Sequence, residues 1–335
     1  MKSAPQLDPD DRSGGSKALV NAFSVDVEDY FHTEAMSSAV SRERWEQMPL
    51  RVESNTRRLF EILAKHDVHA TFFFLGWVAE RLPELVREAV QFGHEIGCHS
   101  YWHRPIYKLS PDDFRVDTLK AKQVIEQAGG VRVCGYRAPS FSLVPGTEWA
   151  GEILAELGFD YDSSVHPIRH DLYSNASAPR EPHRIAGGAL LELPIATAQL
   201  GSSVLPIGGG GYMRILPYAY THWGLTRFLR MEARPAVVYL HPWEIDPQQP
   251  RLRASAKSRF RQYTGLGSME SKLDNLLREF PFAPIASVFK GELLKKTDGV
   301  AKNQGAAGNS SPSSVPQPEP ALNSAGRAGG TKWSG

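Results

Sequence analysis

Three acidic residues follow the first apolar run of the chain within four positions: Asp26, Glu28 and Asp29. Carboxylates this close repel one another unless a cation or a proton lies between them, so the arrangement costs stability without a compensating partner. A bound metal ion would supply that partner. A solvated acidic turn is the alternative, and the acids taken alone do not decide between the two.

Two histidines, His99 and His103, come directly after another strand-like run. If the turn is helical, this spacing brings their Cβ atoms to about 5–6 Å, so that both imidazoles can reach one ion at about 2.0 Å. Such pairs are commonly structural. This pair, however, ends a strand of the same series as the acids, where barrel enzymes carry their chemistry. With one carboxylate, the pair would complete a three-residue metal site.

Three further motifs also follow strand-like runs. The segment Tyr136–Ser140, with the sequence YRAPS, contains Arg137, which either holds a carboxylate in two hydrogen bonds or is a surface arginine in a turn. Asp162 lies in a polar stretch that could line a groove or form a turn. His241 could act as a general acid, and the nearby Trp243 could stack on a sugar, although a single histidine of this kind is more often a packing residue.

The elements that must position these motifs alternate between strands and helices. The predicted strands are Ala18–Val25, His69–Leu75, Glu95–Cys98, Arg132–Gly135, Leu190–Ile195 and Ala236–Leu240. The predicted helices are Val52–Lys65, Pro83–Phe92, Pro111–Gln127, Thr147–Leu157, Pro217–Met231 and Ser268–Phe280. This alternation predicts an α/β fold with a mainly parallel sheet or barrel, in which the loops after the strands form one rim.

The composition is that of an ordinary folded protein. Of 335 residues, 41% are hydrophobic and 22% are charged, and the formal net charge is +1. These values argue against wholesale disorder, collagen and coiled coil. A net charge near zero provides no global field for nucleic acid or an anionic membrane, so nucleic acid is not an expected partner.

The two ends of the chain differ from its middle. We expect a disordered tail over 1–17, one domain over 18–293 with a C-terminal extension from about 245, and a disordered low-complexity tail over 294–335. The longest apolar stretch, Phe72–Ala79, is far shorter than the roughly 20 residues of a membrane span, so no transmembrane segment is predicted. Two cysteines and an N-terminal segment without an apolar run lead us to expect a cytoplasmic protein.

In this order, the motifs resemble those of the polysaccharide deacetylase family, which has the NodB homology domain and is carbohydrate esterase family 4. The resemblance covers about Leu19–Val288, and its most specific parts are His-Ser-x-x-His and the downstream Arg-Ala-Pro. The segments Ser24–His32, Leu205–Tyr212 and Arg259–Tyr263 look like the exosortase-associated exopolysaccharide deacetylase branch. The resemblance implies a distorted (β/α) barrel of the NodB type.

The resemblance also implies one divalent metal ion, usually zinc, held by His99, His103 and one acidic residue. Many relatives carry adjacent acids, a base followed by a ligand, which corresponds to Glu28 and Asp29 here. Other relatives space the two acids by one residue, which corresponds to Asp26 and Glu28. We expect Asp29 to be the ligand, and Glu28 or Asp26 to be the base.

The remaining roles follow from the same resemblance. Arg137 would orient the base, and His241 would protonate the leaving amine. A backbone N–H just beyond Pro139 would hold the oxyanion. The residues predicted to contact substrate are Tyr136, Pro139, Ser140, Asp162, Leu240 and Trp243. Apart from the resemblance, the adjacency of Leu240, Trp243 and Tyr239 to His241 suggests that they seat the acetyl methyl group. The glycine run Gly208–Gly211 permits close backbone approach and would shape the groove.

The implied activity is metal-dependent N-deacetylation of N-acetylhexosamine units in a bacterial exopolysaccharide or its lipid-linked precursor, with release of acetate. The expected partner is that N-acetylated glycan, with a loose association with a membrane-bound polysaccharide assembly system. Two alternatives remain open, an allantoinase-like hydrolase of a small amide and a catalytically inactive glycan-binding barrel. A long groove would favour the glycan, and a closed pocket would favour the small amide.

Overall fold

The computed structural model describes residues 19–170 and 175–295. The tails predicted over 1–17 and over nearly all of 294–335 lie outside these residues. The strands are β1 (Asn21–Val27), β2 (Thr71–Phe74), β3 (Glu95–Cys98), β4 (Gly135–Tyr136), β5 (Tyr161–Asp162), β6 (His183–Ile185), β7 (Leu190–Glu192), β8 (Thr197–Leu200), β9 (Ser203–Pro206), β10 (Val237–Leu240) and β11 (Phe282–Ala283).

Helices cover most of the chain between the strands. The α-helices are α1 (Val52–Lys65), α2 (Gly76–Arg81), α3 (Pro83–Gln91), α4 (Pro111–Gly129), α5 (Trp149–Glu156), α6 (Gly210–Ile215), α7 (Tyr218–Glu232), α8 (Ala256–Tyr263), α9 (Leu266–Glu279), α10 (Ile285–Val288) and α11 (Lys290–Leu294). Short 3-10 helices cover Glu34–Met36, Arg42–Gln47, Ile106–Lys108, Pro139–Phe141, Ala186–Gly188 and Pro242–Ile245.

The long helices form where the sequence carries both a buried stripe and an end signal. In α4, the Ser110 hydroxyl accepts a hydrogen bond from the backbone N–H of Asp113 at 3.1 Å, and Pro111 occupies the first turn. The residue that follows the helix, Gly130, has a φ of 66° and ends it in the left-handed conformation. These local signals explain why the predicted and observed bounds of such helices agree within a few residues.

The main sheet is almost entirely parallel. Among the described residues its strand order is β10-β1-β2-β3-β4-β5-β7-β6, with β11 pairing with β1. Only β6 and β7 are antiparallel in it, and β8 and β9 form a separate hairpin. Backbone bonds from Ala196 N to Val237 O (3.0 Å) and from Tyr239 N to Gly208 O (2.8 Å) connect its far end to β10. The sheet therefore curls into the predicted distorted barrel.

Several elements differ from the sequence prediction. The strand predicted over Arg132–Gly135 is only β4, two residues long, and β5, β6, β8, β9 and β11 were not predicted. The apolar run Phe72–Ala79 contains both the end of β2 and the start of α2. None of the helices within 19–170 and 175–295 has both the length and the apolar character that crossing a bilayer requires.

Candidate metal centre and active site

A cluster of three buried side chains lies at the carboxyl ends of β1 and β3: Glu28, His99 and His103. One potential ligand atom from each residue lies within 4.8 Å of the others. Glu28 Oε2 is 2.7 Å from His103 Nε2, and the two imidazole rings have their centres 5.2 Å apart. Three groups from two distant parts of the chain thus face one small volume.

The polar atoms of this cluster fit a divalent cation. Among the described residues, the buried Nδ1 of His103 has no hydrogen-bond partner, and the buried Oε2 of Glu28 has no polar contact besides the one at 2.7 Å with His103 Nε2. Buried polar atoms without partners cost free energy, which a cation bound among them would offset. One carboxylate and two imidazoles are also a ligand set typical of catalytic zinc sites and of related transition-metal sites.

Two of the three ligand candidates, His99 and Glu28, are oriented by a second contact. His99 Nδ1 lies 2.9 Å from the carbonyl oxygen of Arg137. Because a carbonyl only accepts, Nδ1 carries the hydrogen, and Nε2 keeps its lone pair for a metal. Glu28 Oε1 accepts a hydrogen bond from the indole N–H of Trp243 at 3.2 Å. These contacts hold the ring and the carboxylate in the orientation that ligation requires.

The loop that carries the two histidines is not helical. Ser100 and His103 have positive φ values of 65° and 50°. The buried carboxylate of Asp117, on α4, accepts hydrogen bonds from the backbone N–H groups of Tyr101 at 2.8 Å and Trp102 at 3.3 Å. This contact compensates for an unusual backbone. Asp117 was missed from the sequence because nothing in the spacing of α4 indicates a role in a loop.

Arg137 holds Asp26 rather than a surface partner. Its guanidinium is fully buried, and Nη1 donates to Asp26 Oδ1 at 2.8 Å and to Ser24 Oγ at 2.7 Å. Nε and Nη2 donate to the carbonyl and hydroxyl oxygens of Ser163 at 3.0 and 2.9 Å. Side chains alternate along a strand, so Ser24, Asp26 and Glu28 face the same side, which explains their joint approach to this site.

His241 completes the group of chemically active side chains. Its Nε2 lies 3.5 Å from Glu28 Oε1 and 3.9 Å from Asp26 Oδ2. On the opposite edge of the ring, Nδ1 lies 3.2 Å from Glu244 Oε2. The histidine therefore stands between the acids of β1 and a second buried carboxylate.

Burial and neighbouring charges shift the pKa values of these groups. Burial lowers the pKa of His99 to about 4, so its imidazole is neutral near pH 7 and able to bind a metal. Burial would raise the pKa of Glu28, but the charges of His103 and His241 hold it well below its ordinary value. Burial would lower the pKa of His241, yet its hydrogen bond to Glu244 and the charge of Glu28 raise it to about 9.

A pocket of about 130 Å³ opens onto this group. Of the predicted residues, those in its lining are Asp26, Glu28, His99, His103, Ser140, His241 and Trp243. The lining also includes Tyr239 and four residues that the sequence analysis missed: Thr33, Glu34, Ala35 and Phe141. The sequence offered one signal for these four residues, which is their proximity to recognised motifs. Thr33–Ala35 follow the acidic cluster, and Phe141 follows Ser140.

The C-terminal extension supports one wall of the pocket. Gln262, which is buried on α8, accepts a hydrogen bond from the Thr33 hydroxyl at 3.3 Å through Oε1. Its Nε2 donates to the carbonyl oxygen of Tyr30 at 3.2 Å. Through this glutamine, the segment Arg259–Tyr263 holds Thr33, which lines the pocket, and the backbone of Tyr30, which precedes the pocket wall.

The expected ligand Asp29 lies outside the cluster. Its Oδ2 accepts hydrogen bonds from the backbone N–H groups of Arg51 (2.7 Å) and Val52 (2.9 Å), and its Oδ1 accepts one from Tyr30 N (2.9 Å). Oδ2 is thus committed to the start of α1, and Oδ1 is committed to the backbone of the following residue. The structure corrects the expectation in favour of Glu28, the acid that the alternative spacing places with Asp26.

Four predicted substrate contacts are also absent from the lining. The ring of Tyr136 packs in the core against Phe114 and Phe159, with ring centres 5.8 and 5.6 Å away. Leu240 is fully buried and faces away from the pocket, because its strand neighbours Tyr239 and His241 take the opposite side. These two positions were therefore wrong as pocket contacts.

Asp162 and Pro139 have structural positions instead. Asp162 is fully buried, and its Oδ1 accepts a hydrogen bond from the Ser164 hydroxyl, whose oxygen accepts one from Ala138 N at 2.8 Å. Burial raises the pKa of Asp162 to about 6. Pro139 begins the 3-10 turn in which Ser140 has a φ of 54°. Both residues shape the loop behind the pocket.

Two families match consecutive parts of the chain. Residues 44–161 match the polysaccharide deacetylase family, and residues 163–290 match a domain of unknown function, DUF3473. His99, His103 and Arg137 lie in the first part, and His241 lies in the second. The pocket thus draws residues from both matched segments, as well as from β1 ahead of them.

Two curated relatives are similar over about 100 residues. A peptidoglycan-N-acetylglucosamine deacetylase from Bacillus cereus is 36% identical over 99 residues, which cover 30% of this chain and 32% of that protein. A chitooligosaccharide deacetylase from a Bradyrhizobium species is 30% identical over 100 residues, which cover 30% of this chain and 43% of that protein. The chain therefore matches less than half the length of these relatives.

One solved structure supports the fold over nearly the whole length. A Mycobacterium smegmatis protein described as a polysaccharide deacetylase has a TM-score of 0.55 and 20% identity, and the alignment covers 95% of this chain and 99% of that one. At that identity the likeness concerns the fold alone. Residues 44–161 therefore match the polysaccharide deacetylase family, and the chain has an α/β fold of the NodB type.

Proposed function

We propose that the protein is a metal-dependent N-deacetylase that removes acetyl groups from N-acetylhexosamine units of a bacterial exopolysaccharide or its lipid-linked precursor. The single observation that carries the proposal is the convergence of Glu28, His99 and His103 on one pocket with Asp26 and His241. The relatives that bear the names of peptidoglycan and chitooligosaccharide deacetylases support the choice of an N-acetylated glycan.

Glu28, His99 and His103 would hold the metal, which we propose to be zinc because the set combines two imidazoles with one carboxylate. When bound, a divalent metal polarises an acetamide carbonyl and lowers the pKa of a water molecule towards about 7. Trp243 and the Arg137 carbonyl keep the two types of ligand oriented. Their contribution is to prepare the site before any metal or substrate arrives.

Asp26 would act as the general base. Arg137 occupies Asp26 Oδ1, so Oδ2 is the oxygen that receives a proton from the attacking water. The hydrogen bond from the guanidinium keeps this carboxylate oriented. Of the two acids left open as the base, the geometry favours Asp26, because Glu28 belongs to the ligand cluster.

His241 would donate the proton that the leaving nitrogen requires. An amide anion is a very poor leaving group, so the carbon–nitrogen bond breaks as the nitrogen is protonated. A pKa of about 9 keeps His241 in its acid form near neutral pH. We assign the oxyanion contact to the backbone N–H of Ser140, because that of Phe141 already donates to Ala138 O at 3.1 Å.

The size of the pocket favours a glycan over a small cyclic amide. A volume of about 130 Å³ holds roughly four water-sized groups, which is the number of non-hydrogen atoms in an acetamido group. Sites that enclose a whole small molecule usually measure about 300–1,000 Å³. The acetamido group would therefore enter between Phe141, Tyr239 and Trp243, while the sugar ring remains at the mouth.

Acetate release from N-acetylated chitooligosaccharides tests this proposal. The purified full-length chain should release acetate, lose that activity after dialysis against EDTA, and recover it with Zn²⁺. His99→Ala should abolish both metal binding, measured by elemental analysis, and acetate release. Asp29→Asn serves as a matched control because its carboxylate lies outside the cluster, and it should retain bound metal.

Two results would contradict the proposal. Acetate release that survives EDTA and His99→Ala would exclude the metal mechanism, and metal binding without any hydrolysis would favour the inactive glycan-binding alternative. Comparing N-acetylated exopolysaccharide with chitooligosaccharides and peptidoglycan fragments would test the proposed exopolysaccharide branch. The cytoplasmic location and the loose association with a membrane-bound assembly system are further proposals, which cell fractionation would test.

A further inference from the structure

We infer that Glu244 and Arg214 are positioning residues that hold the imidazole of His241 for proton donation. This would assign a role to residues 163–290, the segment that matches a domain of unknown function, because all three residues belong to it. The inference rests on the proposed function, in which His241 is the proton donor. It concerns the side of the imidazole that faces away from the pocket.

Glu244 contacts His241 at two atoms. Its Oε2 accepts a hydrogen bond from the backbone N–H of His241 at 3.0 Å and lies 3.2 Å from the ring Nδ1. Because a carboxylate only accepts, this contact requires a hydrogen on Nδ1. The imidazole is thereby fixed with Nε2 towards the acids of β1, which is the nitrogen that can reach a leaving group.

Arg214 fixes Glu244 in turn. Its Nε lies 3.3 Å from Glu244 Oε1, and both side chains are almost completely buried. The two remaining guanidinium nitrogens donate to the backbone carbonyls of Arg261, in the last turn of α8, and Thr264, which follows that helix. Every nitrogen of the guanidinium is committed, so the arginine and its carboxylate have little freedom to move.

The glycine run makes room for this network. At Gly210, the first residue of α6, a Cβ atom would lie 2.0 Å from Glu244 Oε2 and 2.9 Å from Leu240 Cβ. Only a residue without a side chain allows the helix to start this close to the carboxylate. At Gly211 the nearest atom to a Cβ would be Glu244 Oε1, at 3.9 Å. Of these two glycines, only Gly210 lies where a side chain would collide with the Glu244 carboxylate.

A buried ion pair can also be purely structural, so the test must separate the two roles. If Glu244 acts by positioning the proton donor, its replacement should slow only those reactions in which the leaving group must be protonated. An acetamide requires protonation of its nitrogen, whereas 4-nitrophenolate leaves 4-nitrophenyl acetate without one. In both reactions water attacks the acetyl carbon, the bond to the leaving group breaks, and acetate is formed.

The experiment compares both substrates in the zinc-loaded full chain and its variants. Glu244→Gln keeps the shape of the side chain and removes its charge. We expect kcat for N-acetylated chitooligosaccharide to fall about 10²–10⁴-fold, the usual contribution of general acid–base catalysis, with KM unchanged. Ester hydrolysis should stay within a small factor of wild type. Arg214→Lys should show the same selectivity with a smaller loss.

A matched control uses another ion pair of the same segment. Glu232 pairs with Arg180 at 2.8 Å, outside the pocket, and Glu232→Gln should leave both reactions unchanged. Circular dichroism would check that each variant folds, and if Glu244→Gln does not, Arg214→Lys carries the test. Equal losses on amide and ester, or no loss on the amide, would overturn the inference. A wild-type chain without amide hydrolysis would instead overturn the proposed function, and the inference with it.

Discussion

The pairing of Asp26 with Arg137 predicts a specific pattern in a double-mutant cycle. Arg137→Met removes a guanidinium that makes four hydrogen bonds in a fully buried position, to Asp26, Ser24 and two oxygens of Ser163. Asp26 then keeps a charge at 1% exposure without its cation. Asp26→Asn produces the opposite defect, a buried guanidinium without its carboxylate.

The expected magnitudes follow from this burial. Breaking a buried ion pair by removal of one partner costs about 3–5 kcal/mol, because an uncompensated charge remains. The Ser24 hydroxyl still donates to Val238 O at 3.0 Å and the Ser163 hydroxyl to Leu193 O at 2.8 Å, so these groups lose little. The double variant has no buried charge at this position. We therefore expect it to cost about 2 kcal/mol less than the sum of the single losses.

Urea unfolding in EDTA, followed by circular dichroism, would measure these free energies without a contribution from bound metal. The exposed pair of Arg132 and Asp160, with contacts of 2.7 and 3.0 Å, is a matched control. Its coupling should stay below about 1 kcal/mol. Losses at Asp26 and Arg137 that add within about 0.5 kcal/mol would refute the assignment of a strongly coupled buried pair.

Three further outcomes are expected. Gly210→Ala should lower kcat for deacetylation about tenfold or more, because its Cβ would collide with Glu244, whereas Gly211→Ala should be tolerated; equal kinetics for the two variants would contradict this. Burial raises the pKa values of Asp162 and of the neighbouring Glu192, so the native state holds more protons than the unfolded chain and stability should fall as pH rises above about 4. Asp162→Asn should flatten that decline in urea unfolding, and an unchanged slope would count against it. EDTA should lower the melting temperature of the zinc-loaded wild type, because metal binds only the folded cluster, and should have no effect on His99→Ala.

The elements with strong local signals were predictable from the sequence. The observed bounds of β3 (Glu95–Cys98) and α1 (Val52–Lys65) are the predicted ones. In α1 the buried positions, which include Val52, Leu59 and Leu63, repeat with a helical period over 14 residues. By contrast, β4 and β5 have two residues each, and two residues contain no period. Their pairing becomes visible only when neighbouring strands define the sheet.

The residues that form the site could likewise be predicted from the sequence only in part. The motifs after successive strands indicated which side chains would meet, because parallel strands end on one rim. Strand alternation already separates Tyr239 and His241 from Leu240, so that error could have been avoided from the sequence. The role of Asp117 and the pocket wall held by Gln262 could not, because each depends on contacts between distant segments.

What the sequence determined by itself is therefore the set of reactive side chains and the rim on which they meet. The tertiary structure decided which carboxylate faces the histidines. Asp29 turns away because backbone N–H groups at Arg51 and Val52 satisfy it, and Glu28 remains to face His103. Local periodicity depends on each segment's own side chains, whereas the partner of a buried carboxylate depends on which distant donors the folded chain brings to it.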